Sequence, residues 1–246
     1  MSDTFSKHFS ISSFDLNPRG QARLTSMANF FQEVAYHHAS ILGFGYDDLK
    51  EKGTTWVLSR MRIRMERYPL WNEEIRIETW PSGIDKLFGL REFRVFDSKG
   101  ELIGKVATAW LILDINTHRL VRPYAEMERL ELSSYEVFMF EEKLDKLEMH
   151  EGMEVLAQHQ VVFSDLDIVG HVNNVKYLEW CIDAAIASHD PDREIREVEI
   201  NFSHEALFGD QITINGGDVN QGECRFLATR ESDNQEIIRA RLQWAH

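Results

Sequence analysis

Two carboxylates and a histidine crowd one short run of this chain, Asp165-Leu-Asp-Ile-Val-Gly-His-Val-Asn-Asn-Val-Lys-Tyr177. Asp167 and His171 stand four residues apart, so both can face one pocket where a helix begins near Gly170. A carboxylate and an imidazole meeting at one point are the components of general acid–base chemistry on water. Amide N–H groups at a helix start are natural donors to a developing oxyanion, and Gly170 lets a substrate come close to that backbone. In isolation, the same pair would be an N-capping aspartate beside a solvated histidine.

A second copy of the frame changes that reading. Asp15-Leu-Asn-Pro-Arg-Gly20 aligns with Asp165 to Gly170 at an offset of 150 residues. The apolar positions Met27, Ala28, Phe31, Val34 and Ala35 fall on Tyr177, Leu178, Cys181, Ala184 and Ala185 at the same offset, and the turn Leu70-Trp-Asn-Glu-Glu-Ile75 matches Leu207-Phe-Gly-Asp-Gln-Ile212. Asn17 and Gln21 occupy the places of Asp167 and His171. A purely structural cap would tolerate the same residues in both copies, so ionisable groups kept in one copy only point to chemistry there. Asp165, whose twin is Asp15, reads as structural.

The elements around these residues repeat too. A short strand over 8–14 leads to a helix of about five turns whose apolar positions recur at helical spacing up to Gly43-Phe-Gly45. From Thr54 the period drops to two, with strands expected at Ile75–Trp80, Leu87–Asp97 and Leu102–Asp114. The pattern restarts with a strand at Val155–Phe163, a second helix, and strands at Glu197–His204, Gln211–Asp218, Cys224–Glu231 and Gln235–Trp244. A long helix followed by a run of antiparallel strands is α+β. The expected organisation is a first unit over 1–122, a Glu- and Lys-rich linker with some helix over 123–154, and a second unit over 155–246.

Composition removes several function classes. A net charge of −14 argues against nucleic acid. No apolar run approaches the roughly 20 residues that a bilayer crossing needs, and the N-terminus has neither a basic nor an apolar leader region. Cys181 and Cys224 read as buried thiols of a reducing compartment, so a cytoplasmic location is expected. No P-loop, dinucleotide-binding glycine motif, CxxC or HExxH occurs, and no metal or redox cofactor is implied. Arg60, Arg62 and Arg64 form a basic strip on one period-two strand, with Arg67 close by.

A long apolar helix wrapped by an antiparallel sheet, preceded by D-x-x-G-H-V-N-N and used twice, resembles the hotdog fold. The resemblance covers nearly the whole chain. It is nearest to the acyl-acyl carrier protein thioesterases of the plant type and their bacterial relatives. It is carried by Gln32-Glu-Val-Ala-Tyr-His-His-Ala, Trp56-Val-Leu-Ser-Arg-Met-Arg and Arg67-Tyr-Pro-Leu-Trp in the first half. Ser164-Asp-Leu-Asp and His171-Val-Asn-Asn-Val-Lys-Tyr-Leu-Glu-Trp180 carry it in the second.

The resemblance implies two tandem hotdog units and hydrolysis of acyl carrier protein thioesters to free fatty acid. It places the acyl chain in the first unit, where Met27, Phe30, Phe31 and Val34 are candidates to line a tunnel. It puts the family's catalytic glutamate at Glu205, in Phe202-Ser-His-Glu-Ala. Glu205 is then the general base on water while Asp167 and His171 orient it and the thioester; the rival is direct attack by Asp167 through an anhydride. Acyl carrier protein is acidic, so Arg60, Arg62 and Arg64 are its expected docking strip, ahead of Lys143 and Lys146. Two units in one chain make a monomer sufficient, and a homodimer is compatible with the sequence.

The chain departs from the plant pattern twice. Val169-Gly170-His171 stands where plant members have Asn-Gln-His, which removes the family's catalytic asparagine. Glu205-Ala206 stands where they have Glu-Cys, which removes any cysteine nucleophile there. Asn173 and Asn174 are the candidates to supply an amide to the substrate in place of that asparagine, although capping and packing the helix start is the commoner work of such residues. Two other readings stay open: an acyl-CoA thioesterase, since the D-x-x-G-H-V core is shared, and a non-catalytic acyl-binding protein.

Overall fold

The computed structural model describes residues 4–124, 138–149, 152–188, 193–220 and 222–245. The expected linker over 123–154, read with some helix, therefore lies partly outside the described residues, at 125–137 and 150–151. Contacts divide the chain into a first unit of residues 1–59 and 63–144 and a second of residues 60–62 and 145–246.

The first unit contains strand β1 (Phe5–Ser10), helix α1 (Leu24–Ile41), a short helix α2 (Tyr46–Glu51), and strands β2 (Thr54–Met65, of which residues 60–62 group with the second unit), β3 (Glu74–Asp85), β4 (Phe88–Asp97), β5 (Leu102–Asp114) and β6 (Leu120–Val121). Its strand order is β1-β3-β4-β5-β2, with β6 added beside β5. Helix α1 buries the stripe read from its spacing, Met27, Ala28, Phe31, Val34 and Ala35, and Phe31 meets Phe93 of β4 at 5.7 Å between ring centroids. Each large apolar side chain taken fully out of water there contributes about 1.5–3 kcal/mol. Helix α2 has too few turns for periodicity to reveal it. It is held by Leu49, fully buried with Phe44 and Ile112.

The second unit repeats the plan with β7 (Glu154–Gln160), α3 (Asn174–Ser188), β8 (Ile195–Phe202), β9 (Gln211–Asn220), β10 (Glu223–Arg230) and β11 (Gln235–Trp244), in the order β8-β11-β10-β9-β7. Tyr177, Leu178, Cys181, Ala184 and Ala185 form the buried face of α3.

The repeat extends to backbone register. Phe9 pairs with Ile75 between β1 and β3, and His159 pairs with Ile212 between β7 and β9. Ile11 N–H donates to Glu73 O at 3.0 Å, and Val161 N–H donates to Asp210 O at 2.9 Å. Ala22 N–H reaches Pro69 O at 2.8 Å, as Val172 N–H reaches Ala206 O at 3.1 Å. These pairs combine the offsets read separately from the helix and from the turn, so both halves close in the same way. Both expected first strands reach further in the sequence than the pairing supports. Each chain copy leaves the sheet at Ser10 or Gln160 and enters a short 3-10 turn, Ser13–Asp15 or Phe163–Asp165.

Candidate active site

Asp167 lies in a loop whose ends, Leu166 and Val172, bridge to each other. The loop closes on itself, with Asp167 N–H donating to His171 O at 2.8 Å and Gly170 N–H to Asp167 O at 3.1 Å. Gly170 has φ +85°, the left-handed conformation that favours glycine, and an added Cβ would meet nothing within 4 Å. Conformation rather than crowding therefore fixes this glycine.

One oxygen of Asp167, Oδ1, accepts the N–H groups of Val169 at 2.9 Å and His171 at 3.2 Å. Asn17 Oδ1 accepts those of Arg19 at 2.9 Å and Gln21 at 3.2 Å in the first unit. The two loops are built alike, and what both need is an acceptor rather than a charge. The contrast between Asp167 and Asn17 is thus narrower than the sequence suggests: only the charge and Oδ2 of Asp167 are peculiar to the second unit.

The amides expected as oxyanion donors are spent inside the loop. Those of Val169, Gly170 and His171 bond to Asp167, and Asn173 N–H donates to Asp165 O at 2.8 Å. Asn173 is the N-cap of α3, its Oδ1 accepting Val175 N–H at 2.9 Å. That commits its side-chain oxygen to structure. Asn174, the first residue of α3, is the nearby amide not used in this cap.

His171 and Glu205 do come together. His171 Nε2 lies 3.3 Å from Glu205 Oε2, with the side chains 33% and 40% exposed, open enough for water or a ligand to reach both. The turn after β8 that carries Glu205 is tied on three sides. Ala206 N–H donates to the Tyr177 hydroxyl at 2.9 Å, Ala206 O receives Val172 N–H, and Arg230 Nη1 donates to Glu205 O at 3.2 Å. Tyr68, at the matching position of the first unit, is buried.

Tyr177 and Arg230 were not singled out by the sequence. Its spacing puts Tyr177 on an apolar stripe, yet its hydroxyl accepts the amide of Ala206, next to Glu205. Burial pushes its phenol well above the ordinary tyrosine range; the Ala206 amide opposes this, while Glu205, Asp210 and Asp167 add to it. The hydroxyl stays protonated at neutral pH. The available signal was the one applied to Asp167: Tyr177 is polar where its counterpart is Met27.

Of the arginine strip, Arg62 is withdrawn from the surface, while Arg60 and Arg64 stay partly exposed. Arg62 is only 7% exposed, and its Nε bonds to Glu197 Oε1 at 2.7 Å. Alternation placed it on the solvated face, but Glu197 covers it. Arg60 lies 3.7 Å from Asp145, and the Arg64 guanidinium stacks over Phe140 at 5.6 Å. Burial pushes the Cys181 and Cys224 thiols up to about 12, which makes them poor nucleophiles. Among the described residues no group of three or more His, Cys, Asp or Glu is arranged to hold a metal, and no helix is long and apolar enough to cross a membrane.

Two repeats of a long helix on an antiparallel sheet, with a polar site at the helix entry, define a tandem hotdog architecture. Solved structures share it: an acyl-ACP thioesterase from Bacteroides thetaiotaomicron superimposes with a TM-score of 0.83 at 24% identity, over 99% of this chain and 98% of that one. The 12:0-ACP thioesterase of Umbellularia californica gives 0.83 at 22% identity, over 100% and 98%. Family models of the acyl-ACP thioesterase N-terminal and C-terminal domains match residues 2–129 and 149–246, and the chain belongs to the acyl-ACP thioesterase family. Among curated relatives, the chloroplastic palmitoyl-acyl carrier protein thioesterase of Gossypium hirsutum is 29% identical over 98% of this chain. The chloroplastic oleoyl-acyl carrier protein thioesterase 2 of Arabidopsis thaliana is 27% identical over 99%. The chain spans 63% of the length of the cotton enzyme and 78% of that Arabidopsis enzyme.

Proposed function

We propose that this protein hydrolyses acyl-acyl carrier protein thioesters, releasing a free fatty acid and the carrier protein thiol. The observation that carries the reading is the His171–Glu205 pair at 3.3 Å, present in one unit of a chain whose family models cover both.

Glu205 takes a proton from water as the water oxygen bonds to the thioester carbonyl carbon. His171 Nε2–H, donated toward Glu205, orients the carboxylate. The tetrahedral intermediate then expels the thiolate, and the proton held by Glu205 passes to that sulfur, leaving the fatty acid. Asp167 acts by shaping the loop that presents His171. Asn174, with its amide not committed to the cap, is the candidate donor to the substrate carbonyl.

With Arg62 withdrawn, Arg60 and Arg64 are the remaining members of the strip for carrier-protein docking. Hydrolysis of acyl-CoA is the second reading, since the same acid–base pair would act on the thioester of either substrate. The test is the purified protein assayed against matched acyl carrier protein and CoA thioesters. Comparable kcat/KM on the two would remove carrier selectivity, and turnover of neither would remove the hydrolytic reading.

A further inference from the structure

The loop that carries Asp167 and His171 is anchored by a histidine the proposed mechanism does not use. His159 of β7 places Nε2 at 2.8 Å from Asp165 Oδ2, and the same oxygen accepts Val162 N–H at 2.9 Å. Asp165 is 4% exposed, and its backbone oxygen receives Asn173 N–H, the N-cap of α3. The His159–Asp165 pair therefore ties to β7 the residue whose backbone oxygen closes the stretch from 165 to 173. The imidazole also lies against Trp180, 4.2 Å between centroids, and Trp180 meets Tyr177 edge-on at 5.2 Å. Tyr177 in turn holds the amide of Ala206, next to Glu205.

The first unit supplies the internal control. Asp15 Oδ2 accepts Ser12 N–H at 3.0 Å, and Asp15 O accepts Arg23 N–H at 2.7 Å, so that loop has the same anchors. At the position of His159 stands Phe9, stacked on Phe30 at 4.4 Å where His159 meets Trp180 in a tilted contact at 4.2 Å. The loop can thus close with a phenyl ring in this place. Both units place an aromatic ring here, and the imidazole N–H is found only in the unit that holds His171 and Glu205.

We infer that His159 is a positioning residue for the proposed hydrolysis, fixing through Asp165 the loop that presents Asp167 and His171. The inference rests on the hydrolytic reading above for its consequence in turnover, but not for its consequence in loop order. His159→Phe keeps an aromatic ring, as Phe9 does, and removes the donor. His159→Gln keeps an N–H donor at similar reach.

The experiment follows hydrogen exchange of the amides between 166 and 173 alongside steady-state hydrolysis of an acyl carrier protein thioester, for wild type and both variants. With one donor to a buried carboxylate removed, His159→Phe is expected to exchange these amides about tenfold faster and to lose roughly tenfold in kcat at unchanged KM. His159→Gln should restore most of both, and the 16–23 loop, which has no such histidine, should be unaffected. Unchanged exchange in His159→Phe overturns the inference, as does a wild-type kcat in that variant. If the wild type hydrolyses no thioester, the hydrolytic reading fails, and exchange alone decides whether His159 holds the loop.

Discussion

His171 Nε2 lies 3.3 Å from Glu205 Oε2, one residue supplied by the loop before α3 and the other by the turn after β8. Neither element fixes that distance alone. It follows from Val172 N–H bonding to Ala206 O, which draws the loop and the turn together. The first unit makes the matching bond between Ala22 and Pro69 but places Gln21 and Tyr68 at the two positions.

Removing either member of this pair should cost turnover rather than stability. Loss of a positioned general base typically costs about 10²–10⁴-fold, so Glu205→Gln is expected to fall in that range with KM little changed. His171→Ala should fall by a similar factor, and the double variant should be no worse than the poorer single one, because the two act as a unit. Single-turnover hydrolysis of an acyl carrier protein thioester measures all three.

Asp167→Asn tests whether its charge matters. Asn17 already makes the same two bonds, so the variant should fold with a stability within roughly 0.5 kcal/mol of wild type, whereas Asp167→Ala should lose about 1 kcal/mol with the acceptor. With Glu205 as base, Asp167→Asn retains hydrolysis within about tenfold, the scale of one hydrogen bond's worth of free energy. Abolished turnover in a folded variant, with oxygen-18 from water appearing in Asp167 of the wild type, would falsify the general-base route in favour of the anhydride.

Arg62 should behave as a buried ion-pair partner. Arg62→Ala leaves Glu197, 1% exposed, short of one cation. Breaking a buried pair from one side costs about 3–5 kcal/mol. Arg241 Nη2, 3.1 Å from the same Glu197 oxygen, places the expected loss toward the lower end. Denaturant titration reads this directly. Arg64→Glu, by contrast, should raise KM for a carrier-protein substrate while leaving a small thioester unaffected.

Glu92 gives the fold a pH dependence. It is 4% exposed, and burial raises its pKa from 4.5 to about 7, against the Met139 N–H and Ser82 hydroxyl bonds and the charge of Lys105, which lower it. The folded chain prefers this carboxyl protonated. Its contribution to stability is therefore complete below pH 4.5 and lost as pH rises through about 7. Glu92→Gln removes the ionisation, so its stability relative to wild type should grow across that window by up to about 3 kcal/mol. Denaturation at pH 5 and pH 8 checks the sign.

The sequence by itself determined the architecture. Apolar spacing in α1 and α3, the drop to period two, and the shared offset all survive in the structure because each reflects a local period or a repeated backbone plan. It also marked His171 and Glu205, whose types differ between otherwise matched copies. Partnership was beyond it. Alternation put Arg62 on an open face, and only folding brings Glu197 over it. Spacing put Tyr177 on an apolar stripe, and only the turn at Ala206 gives its hydroxyl a partner. The sequence made Asp167 look unlike Asn17, and the loop's hydrogen bonds show that one oxygen of each does the same work. Local periods are written along the chain, whereas who neutralises a charge or takes a proton depends on residues far away in it, and tertiary packing decides that.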